Sequence, residues 1–222
     1  MCDGFDGSDL SPTFWFKYGN DWDWPVDGGS WLRVARAVSV AGGVATIAAK
    51  PAAMTATGRL ESGGFHVRGP YQLTYGRFET RVRVDDDPSR TMSAVVLNWN
   101  ADERTYPWCD GEADFYETGT DRSSAWSYVH YELSTPNCAD APTFVYCRHG
   151  ADPRVWHDIV LEWTPSRWQV WNDGRLVCNV TDPKLIPHWK QRTTWQLDAF
   201  GTNLTNVVRM QAAYARLYQY AP

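Results

Sequence analysis

The chain has 222 residues with 21 Lys and Arg against 26 Asp and Glu, which gives a formal net charge of -5 at pH 7. A negative balance argues against a protein that follows nucleic-acid phosphates, so we expect no nucleic-acid partner. A hydrophobic content of 43% excludes a disordered chain, and the lack of any run of 18 apolar residues predicts no membrane partner. The 13 Trp, 11 Tyr and 8 Phe indicate a β-rich core, an aromatic binding cleft, or both.

The elements follow in chain order from the spacing of apolar residues. Residues 1–30 are rich in Gly, Asp and Trp, which indicates an extended N-terminal arm and loops packed on the domain. Beyond them, short segments alternate apolar and polar residues with the period of two that a half-buried strand requires. The clearest covers residues 75–84, where Phe78 faces one side and Arg77 the other. Further strands are predicted over residues 44–48, 93–100, 112–118, 128–133, 144–148, 156–163, 167–171, 176–179, 194–200 and 207–218.

Turns and a scarcity of helix complete the prediction of the fold. Asp173-Gly174 supplies the positive φ that a tight hairpin turn needs between two of these strands. Only residues 183–189 indicate a short helix. About a dozen strands with almost no helix predict an all-β fold, a sandwich of two antiparallel sheets, as one domain over residues 1–222.

Three acids within six residues carry the predicted chemistry. In a regular strand Glu112 and Asp114 share one face, whereas Glu117 points to the other. One extra residue, a β-bulge near Phe115 and Tyr116, would bring Glu117 back onto the same face. Bulges are enriched beside active sites, where they redirect a side chain.

The bulged spacing predicts a specific distance between the two glutamates. Glu112 and Glu117 would lie about 13 Å apart at Cα, and side chains leaning together would bring their carboxyls to about 5 Å. A retaining glycosidase needs a separation of about 5–5.5 Å, with one carboxylate as nucleophile and the other as acid/base. Asp114 lies between them, where it would hydrogen-bond the nucleophile and help to separate the two pKa values.

Two other readings of the acidic strand stay open at this point. The acids could form the solvated face of an ordinary strand, although clustering three like charges is unfavourable. They could also bind a divalent metal, but neutral oxygen ligands and a Gly-rich metal loop are missing nearby. We therefore predict no metal ligands and no required cofactor.

The chain resembles glycoside hydrolase family 16, the laminarinase and endo-β-glucanase/galactanase group. Glu112, Asp114 and Glu117 match the family signature E-x-D-x-x-E in its bulged form. Further matches follow in the right order over nearly the whole chain, at residues 75–81, 106–107, 111–112, 129–130, 156–165, 173–174 and 213–219. The resemblance implies a concanavalin A-like jelly roll with a concave substrate cleft.

The resemblance also implies roles for the three acids. Glu112 would be the nucleophile, Glu117 the acid/base and Asp114 the assisting carboxylate. Ala113 stands where the family usually has a branched aliphatic residue, which we interpret as a change in core packing. A structural calcium site of the family uses an acid where this chain has Ala213, so we expect that site to be weak or absent.

Sugar clefts combine stacked aromatic rings with polar groups that bind hydroxyls. Trp99 and Trp108 flank the acidic strand in the sequence and are candidate platforms, although core positions remain an alternative. Trp126 precedes the strand of His130, which the resemblance assigns to the cleft. Arg81 is a further candidate for substrate hydroxyls, with a solvated charged face as its alternative.

The five cysteines do not settle the redox state from sequence. Their number is odd and no C-x-x-C spacing occurs, so a zinc site is not expected. Cys138 and Cys147 flank a short loop and could pair in an oxidising compartment. The alternative is that all five are reduced.

Two functions remain after these observations. The first is a retaining endo-β-glycosidase acting on a β-1,3- or mixed-linkage glucan, or on a galactan, as a monomer with a polysaccharide substrate. The second is a non-catalytic, lectin-like module on a phage virion or cell surface, because this fold supports both. The retention of all three acids favours the enzyme. We expect an extracellular or virion-associated protein. The first residues lack the features of a signal peptide, which a secreted hydrolase would carry, so the expected alternatives are a processed chain, an excised domain, or part of a phage particle released by lysis.

Overall fold

A computed structural model describes residues 1–101, 112–130 and 144–221. Two large antiparallel sheets dominate it, as the alternating segments predicted. One of them, called here the cleft sheet, contains in spatial order β13 (Phe144–Arg148), β12 (Ala125–His130), β11 (Glu112–Thr118), β10 (Met92–Asn100), β17 (Gln191–Ala199), β8 (Gly64–Val67) and β2 (Trp15–Lys17).

The second large sheet, called the back sheet, packs against the cleft sheet. It contains in spatial order β16 (Arg175–Val180), β15 (Arg167–Asn172), β14 (His157–Thr164), β9 (Gly76–Val84), β18 (Val208–Gln219), β6 (Val44–Ala49) and β5 (Val38–Ala41), with β1 (Cys2–Asp3) paired to β18.

The alternation of side chains explains why these segments form a sandwich. Along β9, Phe78 and Val82 are buried, whereas Arg77 and Arg81 are exposed. The same alternation on β14 and β15 buries Trp163 and Trp168 completely. These side chains meet those of the cleft sheet in one hydrophobic cluster, which also contains Trp195 of β17. The two inner faces therefore share a core, and each outer face is left for polar groups.

The first thirty residues form more structure than the predicted arm and loops. They contain β1, β2 and β3 (Trp24–Val26), and Phe5 and Trp15 belong to the core cluster. β3 pairs with β4 (Trp31–Arg33), which in turn pairs in parallel with β7 (Leu60–Ser62). Strands of two or three residues show too little alternation to be found from sequence.

Two further predictions differ from the structure. The helix predicted over residues 183–189 is only a 3₁₀ turn over Pro183–Leu185, because Pro187 cannot supply the amide that a continuing helix needs. Cys147 pairs with Cys178 and not with Cys138, which lies outside the described residues. This disulfide joins β13 to β16, the strands at one edge of each large sheet.

Within the described residues, no helix is long and apolar enough to cross a membrane.

Candidate active site

The acidic strand β11 carries the predicted bulge. On one side Asp114 pairs with Leu97 and Tyr116 with Val96, so Phe115 is the extra residue. On the other side the register also shifts between Asp114 and Glu117. Both bulged side chains, Phe115 and Tyr116, are fully buried. Because the side chains of two consecutive residues both enter the core, the alternation shifts by one residue and the side chain of Glu117 points to the outer face.

The three acids consequently line one depression on the outer face of the cleft sheet. The depression has a volume of about 200 Å³. Its wall includes His130 from β12, Ser93 from β10, and Asp198 from β17. The sequence prediction that Glu112, Asp114 and Glu117 share a face is confirmed.

Hydrogen bonds to neighbouring strands help to hold Asp114 and Glu117 in place. Asp114 is 2% exposed, and its Oδ2 lies 2.8 Å from Nε2 of His130. The hydroxyl of Ser93 lies 3.3 Å from Oε1 of Glu117 and donates to the backbone oxygen of Thr118 at 2.6 Å. Both contacts come from neighbouring strands, so the sheet itself sets the positions of the carboxyls.

Burial and mutual repulsion raise the proton affinity of the cluster. Desolvation, with the adjacent charge of Asp114, raises the pKa of Glu112 to about 8. Desolvation, with the charge of Glu112, raises the pKa of Glu117 to about 7. Burial, followed by the charge of Glu117, also raises the pKa of Asp114. The cluster therefore keeps protons near neutral pH, the condition under which one carboxyl can act as an acid while another is ionised.

Aromatic side chains continue the outer face on one side of the carboxyls. Trp126, Tyr128 and His130 alternate along β12, with Trp126 and Tyr128 stacked at 6.4 Å and Tyr128 and His130 at 5.5 Å. On the neighbouring strand β13, Tyr146 is 60% exposed and lies 6.0 Å from Trp126. Arg148 lies over the Trp126 ring at 5.9 Å. Rings that reach the surface, with a guanidinium beside them, are suited to stacking on the apolar faces of sugars and to binding their hydroxyls.

A second depression lies on the other side of the carboxyls and has a volume of about 260 Å³. Trp99, which pairs with Glu112 across the sheet, is half-buried in its wall. Tyr18 and Trp24 face it from the N-terminal segment, with their rings 5.2 Å apart. Gly64 makes room for Tyr18, because a Cβ at this position would come within 2.7 Å of the tyrosine ring.

The structure places the predicted substrate residues unequally. Trp99, Trp126 and His130 lie on the same outer face as the acids. Trp108 lies outside the described residues. The prediction that Arg81 binds substrate beside the acids is wrong. Arg81 points outward from the back sheet, where its guanidinium is 3.9 Å from Asp158. Its strand alternates as predicted, but the fold puts that strand in the sheet without the acids.

Several residues on this face were missed from sequence. Tyr128 and Tyr146 complete the aromatic row, and Asp198 and Gln196 join the wall of the carboxyl depression from β17. Arg33 reaches the same region from β4, more than 150 positions earlier in the chain. Tyr128 follows from the alternation that includes Trp126 and His130. The other residues carry no local signal, because only the pairing of distant strands brings them together.

Among the described residues, no group of three or more His, Cys, Asp or Glu side chains has the arrangement of a metal site. The predicted absence of a required cofactor and the weak calcium site stay predictions.

No family model and no curated protein matches the chain by sequence. Solved structures match it over nearly their full length. The laminarinase from Rhodothermus marinus has a TM-score of 0.79 at 20% identity, covering 100% of this chain and 97% of that one. The laminarinase catalytic domain from Thermotoga maritima MSB8 has a TM-score of 0.78 at 17% identity, covering 100% and 98%.

A third match is a non-specific endo-β-1,3(4)-glucanase from family GH16, with a TM-score of 0.80 at 18% identity, covering 99% of this chain and 93% of that one. Likeness at this level of identity shows a shared fold. The jelly-roll sandwich predicted from sequence is therefore confirmed as the fold of this chain, and it is the fold of these glucan hydrolases.

Proposed function

We propose that the chain is a retaining endo-β-glycosidase of the glycoside hydrolase family 16 type, which hydrolyses a β-linked polysaccharide. The observation that carries the proposal is the bulge in β11, because it directs Glu112, Asp114 and Glu117 into one depression between two aromatic surfaces. A solvated acidic face would not need three carboxyls with raised pKa values in a semi-enclosed site.

In the first step, ionised Glu112 attacks the anomeric carbon of the bound sugar. The glycosidic C–O bond breaks, and protonated Glu117 gives its proton to the departing oxygen. The raised pKa values of Glu112 and Glu117 belong to the interacting carboxyls together, and they support one glutamate being protonated near neutral pH while the other is ionised. Asp114 is held by His130 beside both glutamates and supplies a negative charge that favours a proton on one of them.

In the second step, the ester between Glu112 and the sugar is hydrolysed. Glu117, now ionised, takes a proton from a water molecule whose oxygen attacks the anomeric carbon. The bond to Glu112 breaks, and both glutamates return to their starting states. The released sugar has the same anomeric configuration as the substrate because two inversions cancel.

For the substrate we propose a β-1,3- or mixed-linkage glucan, with a galactan as the remaining alternative. The solved structures of similar fold are laminarinases and an endo-β-1,3(4)-glucanase, which supports a glucan. Aromatic residues on both sides of the carboxyls support binding of a chain that extends past the site in both directions. An endo mode of cleavage follows from such an open arrangement.

The test is release of reducing ends from laminarin, lichenan, agarose, carrageenan, a β-1,3-galactan and an arabinogalactan. The wild type is compared with Glu112→Gln, which keeps the shape of the side chain and removes the nucleophile. We expect one class of polymer to be cleaved by the wild type and activity to fall by at least about 10³-fold in the variant.

Retention of these polysaccharides on an affinity gel without any cleavage would contradict the proposal. It would favour the non-catalytic sugar-binding module, in which the acids bind sugar hydroxyls.

A further inference from the structure

A fourth carboxylate faces the depression that holds the three acids of β11. Asp198 lies on β17 opposite Ser93, the residue whose hydroxyl contacts Glu117. It lines the same wall as the acids, and its side chain is 22% exposed. A fourth negative charge would further disfavour ionisation of the cluster unless it were compensated.

Arg33 supplies that compensation. Its Nη2 lies 2.8 Å from Oδ1 of Asp198, and the side chains of both residues are only 22% exposed. Its guanidinium lies over the rings of Tyr18 and Trp31, at 5.1 and 5.5 Å from their centres. These contacts fix the guanidinium between two aromatic faces and the carboxylate.

The amide of Gln196 closes the network. Its Nε2 donates to Oδ2 of Asp198 at 2.7 Å, and its Oε1 accepts from the hydroxyl of Tyr18 at 3.1 Å. Each oxygen of Asp198 thus has one fixed donor.

We propose that Arg33 is a positioning residue for the reaction, which neutralises Asp198 and so sets the pH at which the Glu112–Asp114–Glu117 cluster gives up its protons. The effect of Arg33 on catalysis rests on the proposed function, whereas its effect on the proton affinity of the three acids does not. Arg33 lies on β4 and lines the second depression, and its ion pair with Asp198 links β4 to the wall of the depression that holds the three acids.

Other charged and titratable groups also lie around the three acids, and the effect of Arg33 on their proton affinity comes in addition to the effects of these groups. From β12, His130 contacts Asp114, and Tyr128 faces the acids. From β17, Arg192 lies beyond Trp99 in the second depression, and from β13, Arg148 lies beyond Trp126. The charge of Asp198, which lies outside β11, raises the pKa of each of the three acids Glu112, Asp114 and Glu117.

The test is a titration of the side-chain carboxyls by ¹³C NMR in the absence of substrate, on the wild type, Arg33→Met, Asp198→Asn and the double variant. Signals are assigned with Glu112→Gln and Glu117→Gln. We expect the glutamate transitions to move up by about one pH unit in Arg33→Met and down by a similar amount in Asp198→Asn, with the double variant close to the wild type.

Arg77→Met is the matched control. It also removes one guanidinium from an ion pair, with Glu79 at 2.6 Å, but on the outer face of the back sheet. We expect its transitions to stay at the wild-type values. If Arg33→Met does not fold, Asp198→Asn decides alone, because it preserves shape and both neighbours.

Unchanged glutamate transitions in Asp198→Asn, or in folded Arg33→Met, would overturn the proposal. An equal shift in Arg77→Met would also overturn it, because a shift caused by a distant guanidinium would show that the transitions respond to the net charge of the protein and not to the ion pair of Arg33. A second readout is the pH optimum of kcat/KM, which should move up in Arg33→Met and down in Asp198→Asn. Failure to cleave any polymer would refute the proposed function and leave the NMR titration unaffected.

Discussion

At the scale of single residues, the site depends on carboxyls that are held where ionisation is costly. Glu112 and Glu117 have raised pKa values mainly because the sheet buries them, and secondarily because they repel each other and Asp114. An isolated strand would place the same residues in water and leave them ionised at neutral pH. The burial that gives the site its chemistry therefore lowers the stability of the folded protein.

The raised pKa values predict a dependence of stability on pH. In the unfolded chain a glutamate has a pKa of 4.5, so between pH 4.5 and about 8 the folded protein holds more protons than the unfolded one. The free energy of unfolding should therefore fall as pH rises through this range. Urea denaturation at pH 5 and pH 8 measures the fall.

Glu112→Gln should flatten this dependence, because glutamine cannot ionise. We expect the variant to be more stable than the wild type at pH 8 by about 1–3 kcal/mol, with a smaller difference at pH 5. A parallel pH dependence in the two proteins would show that Glu112 ionises freely in the folded state.

The aromatic row on β12 predicts a loss of affinity that leaves the chemical step intact. Removing the ring of Trp126 should raise KM about fivefold, since a stacked ring contributes about 1 kcal/mol and Glu117 stays in place. The measurement is the steady-state kinetics of Trp126→Ala on the polymer cleaved by the wild type.

Tyr218→Ala is the control for this prediction. Tyr218 is 43% exposed and lies on the outer face of the back sheet, opposite Arg77. We expect wild-type kinetics from it. A fall in kcat without a change of KM in Trp126→Ala would show that the ring acts in the chemical step and not in binding.

At the scale of elements, β11 shows what the sequence could and could not predict. The strand bounds, the bulge and the shared face of its three acids follow from alternation and from the chemistry of clustered carboxyls. Alternation also places Arg81 correctly on the polar face of its strand. It does not show that this strand belongs to the sheet without the acids. Alternation defines the two faces of a strand, and only strand order defines what each face meets.

The disulfide is the second element-scale feature. Cys147 and Cys178 close a loop with a sequence separation of 31 and connect edge strand β13 to edge strand β16. Tyr146 and Arg148 flank Cys147 and point to the aromatic face beside the acids. The crosslink therefore fixes one wall of the cleft to the back sheet.

Replacing both cysteines by serine should lower the free energy of unfolding by about 3–4 kcal/mol, as expected for a loop of this length. We also expect a higher KM, because β13 loses its anchor. Urea denaturation and polymer kinetics of Cys147→Ser/Cys178→Ser, beside the oxidised wild type, measure both effects. Equal stability of the two proteins would show that the described pairing does not form.

At the scale of the whole molecule, the site is assembled from strands that are far apart in the sequence. The three acids come from β11, but Arg33 comes from β4 and Asp198 from β17. The aromatic residues come from the N-terminal segment, β10, β12 and β13. Composition and periodicity predict that such strands exist. Their order in the sheet is a property of the complete fold, which is why these residues could not be placed from sequence.

In the proposed double displacement, Glu112 is the nucleophile and Glu117 the acid/base. The most direct measurement is ¹H NMR of the first products released from the polymer that the wild type cleaves, before the sugars mutarotate. The β-anomer should appear first and the α-anomer only later, by mutarotation. The α-anomer as the first product would mean a single displacement by water, and the assignment of Glu112 as nucleophile would be wrong.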